Sequence, residues 1–394
     1  MSDLPLEGTT VVSIEQAVAA PYATRQLADL GARVIKIERP GEGDFARYYD
    51  ETVLGESSYF VWLNRSKESL TLDIKTEAGG RILSDLLGRA DVFVQNLGPG
   101  AASRLGLDAA SLSARCPRLI VCDVSGYGSS GPWSDRKAYD LLVQCEAGLV
   151  SLTGPPDAPS RAGISIADIA AGMYAYSGIL TALLRRATTG KVSSVQVSLF
   201  EALAEWMGGP AYYTRYSGTQ PQRVGVAHPT VAPYGPYDTA DGATVLVAVQ
   251  NQREWTSFCD VVLGNAATAE DRRFATNSAR VTNRTTLDEV IAARFRSLDA
   301  DAAVALLGKA GVANARMNTM HEFLDHPSLR GRDRWREVSS PGGTIEALIP
   351  PADLSGVEAR MGPVPVLGQH TDKILEWLGL DTEAVQRLRL ERVI

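Results

Sequence analysis

The chain predicts an α/β protein, with a large domain built on a parallel sheet covered by helices and a smaller α+β domain. In its first third, short apolar runs alternate with stretches of helical periodicity, as in repeated βαβ units. Its 394 residues exceed the size at which one hydrophobic core stops growing, so two domains are expected. Around Gly218 to Gly235 the composition shifts to TQPQRVGVAHPTVAPYGPY, rich in proline and glycine without apolar periodicity, which suits a linker. These features divide the chain into residues 1–217, a large domain; 218–330, a linker and small domain; and 331–394, a segment returning to the large domain.

In order, TTVVSIE reads as a strand, PYATRQLADLG as a helix and ARVIKIE as a second strand. SLTLD, the helical stretch TEAGGRILSDLLGRA, the strand DVFVQN, a helix through Leu105 to Ser113 and the strand RLIVCDVSG continue the pattern. From Ile164 to Arg186 runs a long helix of small and apolar residues, expected to be mostly buried, with Arg185 and Arg186 at the end where the helix dipole is negative. SVQVSLF follows as a strand, and EALAEWMGG as a helix that breaks at its paired glycines. Beyond the linker come the strand TVLVAVQ, helices starting near Arg253, Leu287 and Ala300, the turn-rich GKAGVANARM, a strand pair around PGG, the segment VPVLGQHT and the helix DKILEWLGL.

Hydrophobic residues make up 45% and charged residues 22% of the chain, a composition that folds. The net charge of -7 argues against an unspecific grip on nucleic acid or an anionic membrane, so any anion site must be local. Cys116, Cys122, Cys145 and Cys259 have no C-x-x-C spacing, and reduced, buried thiols are expected. The start, MSDLPLEGTT, has no signal-peptide pattern, and no run of about 18 apolar residues occurs. A soluble cytoplasmic protein is expected. His228, His321, His326 and His370 lack metal-ligand spacing, so no metal is expected. No G-x-G-x-x-G follows the first strand, where SIEQAVAAPYA stands, and no G-x-S-x-G elbow appears.

Asp168 is the only acid between Ile164 and Leu184, flanked by Ala167, Ile169 and Ala170. Burying that helix carries a carboxylate into apolar surroundings, which costs free energy unless partners are found. Backbone N–H groups at the helix start would hold it ionised. From the residues alone Asp168 fits a helix-end carboxylate, half of a buried ion pair, or a nucleophile.

The segments VIKIERPGEGDFAR, LNRSKESLTLDIKT, DVFVQNLGPGAASRLGLD, VSGYGSSGP, KAYDLLVQCEAGL, AGISIADIAAGMYA and VLGQHTDKIL together resemble the class III (CaiB/BaiF) coenzyme A transferases, in order over nearly the whole chain. The resemblance implies an interlocked homodimer, each subunit with a Rossmann-like large domain that binds CoA and a small domain reached by linkers. It places the nucleophile at Asp168 and the CoA nucleotide near Arg39, Leu72, Lys75, Asn96, Arg104 and Lys137. It implies no permanently bound cofactor; acyl-CoA and a carboxylic acid are substrates. The carboxylate would attack the thioester, store the acyl group as an anhydride, and pass through an aspartyl-CoA thioester. Water must be excluded from the anhydride, yet no run of glycines is present to form a closing loop.

In GEGDFARYYD, Arg47 and Tyr49 are candidates for the acyl group, Arg47 because a guanidinium pairs bidentately with a second carboxylate. That stretch resembles transferases acting on succinate, itaconate or mesaconate, so a short dicarboxylic acid is expected. Racemases of 2-methylacyl-CoA share the fold but carry a histidine where this chain has Tyr139, and a glutamate where it has Gln250, Asn251 and Gln252. A tyrosine, with a pKa of about 10, is a poor base at neutral pH, so Tyr139 is assigned to substrate contact and transfer is favoured. A racemase and a catalytically silent CoA-binding protein remain the alternatives.

Overall fold

The computed structural model describes residues 4–394. In chain order its elements are β1 (Thr10–Ile14), α1 (Ala19–Asp29), β2 (Arg33–Glu38), α2 (Ser58–Asn64), β3 (Lys67–Thr71), α3 (Glu77–Gly88), β4 (Val92–Gln95), α4 (Ala101–Arg104), α5 (Ala109–Arg115), β5 (Ile120–Ser125), α6 (Asp140–Glu146), α7 (Leu149–Leu152), α8 (Ile166–Thr189), β6 (Val195–Ser198), α9 (Leu199–Trp206) and α10 (Gly208–Ser217). There follow β7 (Tyr234–Asp238), β8 (Thr244–Ala248), α11 (Gln252–Ser257), α12 (Asn277–Thr282), α13 (Arg284–Phe295), α14 (Ala300–Ala310), β9 (Ala313–Arg316), α15 (Met320–Leu324), α16 (Pro327–Arg330), β10 (Trp335–Ser340), β11 (Gly343–Leu348), α17 (Thr371–Leu378) and α18 (Thr382–Leu390).

The first six strands form one parallel sheet in the order β3-β2-β1-β4-β5-β6. The chain winds outward from β1 to β3, returns to the middle at β4 and continues to β6. This Rossmann-like reversal leaves a crevice beyond the carboxyl ends of β1 and β4, where such sheets bind ligands. Strand alternation sends Val12, Ile14, Ile35, Ile37, Leu70, Phe93 and Val121 into one buried cluster with α3, α5, α17 and α18. The opposite face carries α1 and α8, which approach closely where Gly172 leaves room for the Ala19 carbonyl.

The chain divides into two compact units: residues up to Gly148 with Ala162–Gly209 and Arg330–Ile394, and Leu149–Arg161 with Pro210–Leu329. In the second unit the antiparallel sheet β7-β8-β9 packs Tyr237, Val245 and Val247 against Trp255, Phe258, Leu287, Ile291, Phe295 and Leu307. In the first, β10 and β11 form a hairpin turning at Pro341 and Gly342.

Several local readings are corrected. The helix of EALAEWMGG does break, but at Met207, and Gly208 and Gly209 begin α10. The stretch through Leu105 to Ser113 is two helices, separated at Gly106, whose φ of 65° a helix interior does not accept. Of the four free cysteines only Cys122 and Cys259 are buried; Cys116 is half-buried and Cys145 exposed. By length and composition α8 alone among the described helices would suffice to cross a membrane. Here it packs on α1, α6, α9, β5 and β6, but only seven of its 24 residues are buried, so it is not the mostly buried helix expected, because one face alone meets those elements.

Candidate active site

Asp168 lies in the first turn of α8, partly buried. Ser165, at the cap position, makes no side-chain cap. The cap comes from another helix: Asp140, the first residue of α6, accepts from the Ala167 N–H at 2.8 Å and more weakly from the Asp168 N–H at 3.5 Å. Its other oxygen accepts from Gln144 Nε2 at 2.6 Å. The expectation that the helix start holds Asp168 ionised is therefore corrected. Burial, and then the charge of Asp140, push the Asp168 carboxyl up to about 7. Among the described residues, no group donates a hydrogen bond to that carboxylate.

Tyr49 and Tyr139 join the same site. The Tyr49 hydroxyl is pushed up to about 12 by burial and by the nearby charges of Asp44 and Asp168, with Tyr139 and Tyr59 also beside it. Tyr49 packs edge-on against Tyr59 with ring centroids 5.6 Å apart. Tyr139, 62% exposed, immediately precedes Asp140. Its segment is seated by Gly126, where a Cβ would fall 2.3 Å from that of Ala138. This close approach is the use of the first glycine in SGYGSSG.

Arg47 does something else. Its Nε and Nη2 donate to the two carboxylate oxygens of Glu38, each at 2.8 Å, and its guanidinium stacks 3.7 Å from the Phe60 ring centroid. Glu38 takes the Nε/Nη2 edge of that fork and the Pro365 carbonyl stands 3.4 Å from both Nη1 and Nη2 at the other, so Arg47 is not free to grip a second carboxylate, against expectation. It belongs to a buried set of three acids and three bases, Glu15, Glu38, Asp44, Lys36, Arg47 and Lys67, which balances in charge. Strand alternation puts Lys36, Glu38, Lys67 and Ser69 on one face of the sheet. Asp44 ties this set to the site: it accepts from Lys36 Nζ at 2.6 Å, the Ala46 N–H at 2.9 Å and the Ala17 N–H at 3.1 Å. The loop after β1, with Ala17 at φ 62°, is thereby pinned to the turn bearing Tyr49.

The residues expected around CoA follow the carboxyl ends of the strands. Asn96, after β4, clasps the loop after β1 across the crevice, accepting from the Gln16 N–H at 2.9 Å and donating to the Gln16 carbonyl at 2.8 Å. Arg39, after β2, is exposed and paired with Glu42 at 2.5 Å, a contact that solvent makes weak. Lys75, Arg104 and Lys137 are exposed. The Leu72 side chain is 2% exposed and packs in the core, so only its backbone can face a ligand. Asp140 and the Gln16–Asn96 clasp were not singled out from sequence; an acid opening the helical pattern of DLLVQ was the available signal for the former. Among the described residues no three His, Cys, Asp or Glu converge as a metal site.

Residues 6–371 match the model of CoA-transferase family III. The chain is 34% identical over 395 residues to succinyl-CoA:glutarate CoA-transferase of Mus musculus, covering 99% of this chain and 90% of that protein. It is 33% identical over 347 residues to acetyl-CoA:oxalate CoA-transferase of Acetobacter aceti, covering 87% of this chain and 89% of that one. Its fold is similar to that of a CaiB/BaiF family protein from Brucella suis, with a TM-score of 0.85, 35% identity, and 95% and 99% of the two chains covered.

Proposed function

Because the chain belongs to the family III CoA-transferases, we propose that it moves coenzyme A between carboxylic acids through the carboxylate of Asp168. The observation that carries this reading is the state of that carboxyl: partly buried, without a donor among the described residues, beside Asp140, with a proton affinity raised to about 7. A weakly solvated carboxylate is a better nucleophile than one in water, and at neutral pH a large share of it is ionised. It attacks the acyl carbon of the donor thioester, the C–S bond breaks, and CoA leaves as the thiolate. The thiolate then attacks the aspartyl carbonyl, freeing the first acid, and the acceptor carboxylate reverses both steps.

Arg39, Lys75, Arg104 and Lys137, exposed cations, are proposed to hold the CoA phosphates, with Asn96 and the Leu72 backbone shaping the slot beyond β1 and β4. No further cofactor enters this scheme. Short dicarboxylic acids are proposed as substrates, in line with the glutarate, oxalate and mesaconate named for similar proteins. With Arg47 held by Glu38, the acyl group is assigned to Tyr49 and Tyr139, whose hydroxyls can donate to a carboxylate. An interlocked homodimer in the cytoplasm completes the reading; free thiols suit a reducing compartment.

The test is chemical. Incubation with an acyl-CoA and hydroxylamine should leave a hydroxamate at Asp168, located by peptide mass, and Asp168→Ala should form none and lose exchange by at least about 10³-fold. Full-speed exchange in Asp168→Ala would end the proposal. Deuterium uptake from heavy water at the carbon beside the thioester, without new thioesters, would indicate a racemase instead.

A further inference from the structure

We propose that Asp140 is a positioning residue for CoA transfer, which holds the first turn of α8 from a neighbouring helix and sets its negative charge against Asp168. The inference rests on the reading of Asp168 as nucleophile. The geometry is specific. A helix start needs acceptors for its free N–H groups, usually from its own cap residue. Ser165 supplies none, and the Asp140 carboxylate reaches across from α6 to Ala167 at 2.8 Å. It cannot swing away, because Gln144 Nε2 holds its second oxygen at 2.6 Å while Gln144 Oε1 accepts from the Ala162 N–H at 2.9 Å. Two acids thus share one helix end, and the N–H groups that would have favoured an ionised Asp168 are occupied by the other.

This arrangement raises the starting state more than the transition state. Before attack two negative charges stand side by side. As the Asp168 oxygen bonds to the acyl carbon and the C–S bond breaks, the electron pair leaves on the CoA sulfur and the acylated aspartate becomes neutral, so the repulsion is relieved along the reaction. The aspartyl thioester formed next is neutral as well. A charged neighbour therefore makes Asp168 more basic and more nucleophilic, which a neutral cap of the same shape would not do.

Other charges are arranged differently. The titratable groups facing Asp168 are Asp140 from α6 and Tyr49 in the turn after β2, with Tyr139 beside Tyr49. From α1, Ala19 and Tyr22 meet α8 at Gly172, while Arg25 and Asp29 pair with each other, Asp29 beside Tyr176 about two turns further along. On α9, Glu201 bonds Ser198 Oγ, and with Glu205 it faces the groove alongside Tyr174 and Arg185.

The pH dependence of transfer separates a charged from a merely structural cap. In the native enzyme kcat/KM should rise with pH through an acid limb near 7. Asp140→Asn keeps an acceptor for Ala167 and removes the charge. It should move that limb down by about 1 unit and slow transfer several-fold at pH 8. A slower variant whose limb stays in place would overturn the proposal. Should the variant not fold, the native enzyme gives the answer through carbon-13 NMR of labelled aspartate: the Asp140 carboxyl resonance should show a step at the titration midpoint of Asp168. Absence of that step would equally overturn it. Hydroxamate trapping keeps the two ideas apart, since full activity in Asp168→Ala removes both, whereas inactivity there with an unmoved limb in Asp140→Asn removes this one alone.

Discussion

A carboxyl group that loses its proton near pH 4 in an unfolded chain and near pH 7 in the folded one works against folding at neutral pH. Asp168 is such a group. Below about pH 4 both states hold the proton and no cost arises; between about 4 and 7 the unfolded chain releases it first, so stability falls as pH rises, and above 7 the full cost is present. Asp168→Asn removes the charge at nearly constant shape. Discounted for partial exposure, it should stabilise the protein by about 1–3 kcal/mol at pH 8 and by almost nothing near pH 4, as read from urea unfolding. An equal change at both pH values would show that the carboxylate is not destabilised by its surroundings. This residue was legible in the sequence because an acid alone in an apolar helix stands out. Arg47 was not: its charge was plain, but that Glu38 binds its guanidinium through both carboxylate oxygens depends on a strand end and a turn meeting.

Elements were legible where periodicity ran long. The six strands of the parallel sheet and helices α1, α3 and α8 fall where alternating apolar patterns placed them. The short α2 and the second C-terminal helix α18 carried too little pattern to separate them from their neighbours. The polar face of β2 and β3 misleads in another way. Lys36 stands between Ile35 and Ile37, and Lys67 and Ser69 flank Glu68, as on solvated strands, yet α1 and α2 cover them and they are buried with Glu15 and Glu38. What positions the site at this scale is the contact of α1 with α8. A Cβ at Gly172 would lie 2.7 Å from the Ala19 carbonyl oxygen and 3.0 Å from Tyr22 Cβ. Gly172→Ala gains about 1 kcal/mol in helix propensity, but the clash is with backbone and costs more. A net loss of about 1–2 kcal/mol is expected in urea titration, with weakened transfer, because α1 follows the pinned loop of Gln16 and Ala17. A more stable variant would show that the two helices have slack.

For the whole molecule, the exposed surface bears on the proposed interlocked homodimer. In α10 no residue is buried, and Tyr212 and Tyr216 are 67% and 79% exposed, with Tyr213 and Trp206 also open. A ten-residue helix is marginal in water without tertiary packing, and exposed aromatic rings in this number usually meet a partner. Met317, Met320, Phe323 and Leu324 give the second unit an open apolar surface of its own. A second copy covering these surfaces would bury them, but simple pairing and threading differ in kinetics. Two chains that pass through one another separate only after unfolding, whereas subunits joined face to face exchange on the timescale of dissociation. Light scattering should give twice the chain mass down to nanomolar concentration. Copies labelled with donor and acceptor dyes, mixed in native buffer, should show no energy transfer over days and gain it only after unfolding and refolding together. Transfer that grows in native buffer would leave a dimer but not a linked one, and a monomer would remove the assembly from the proposal while leaving the chemistry of Asp168 to its own test.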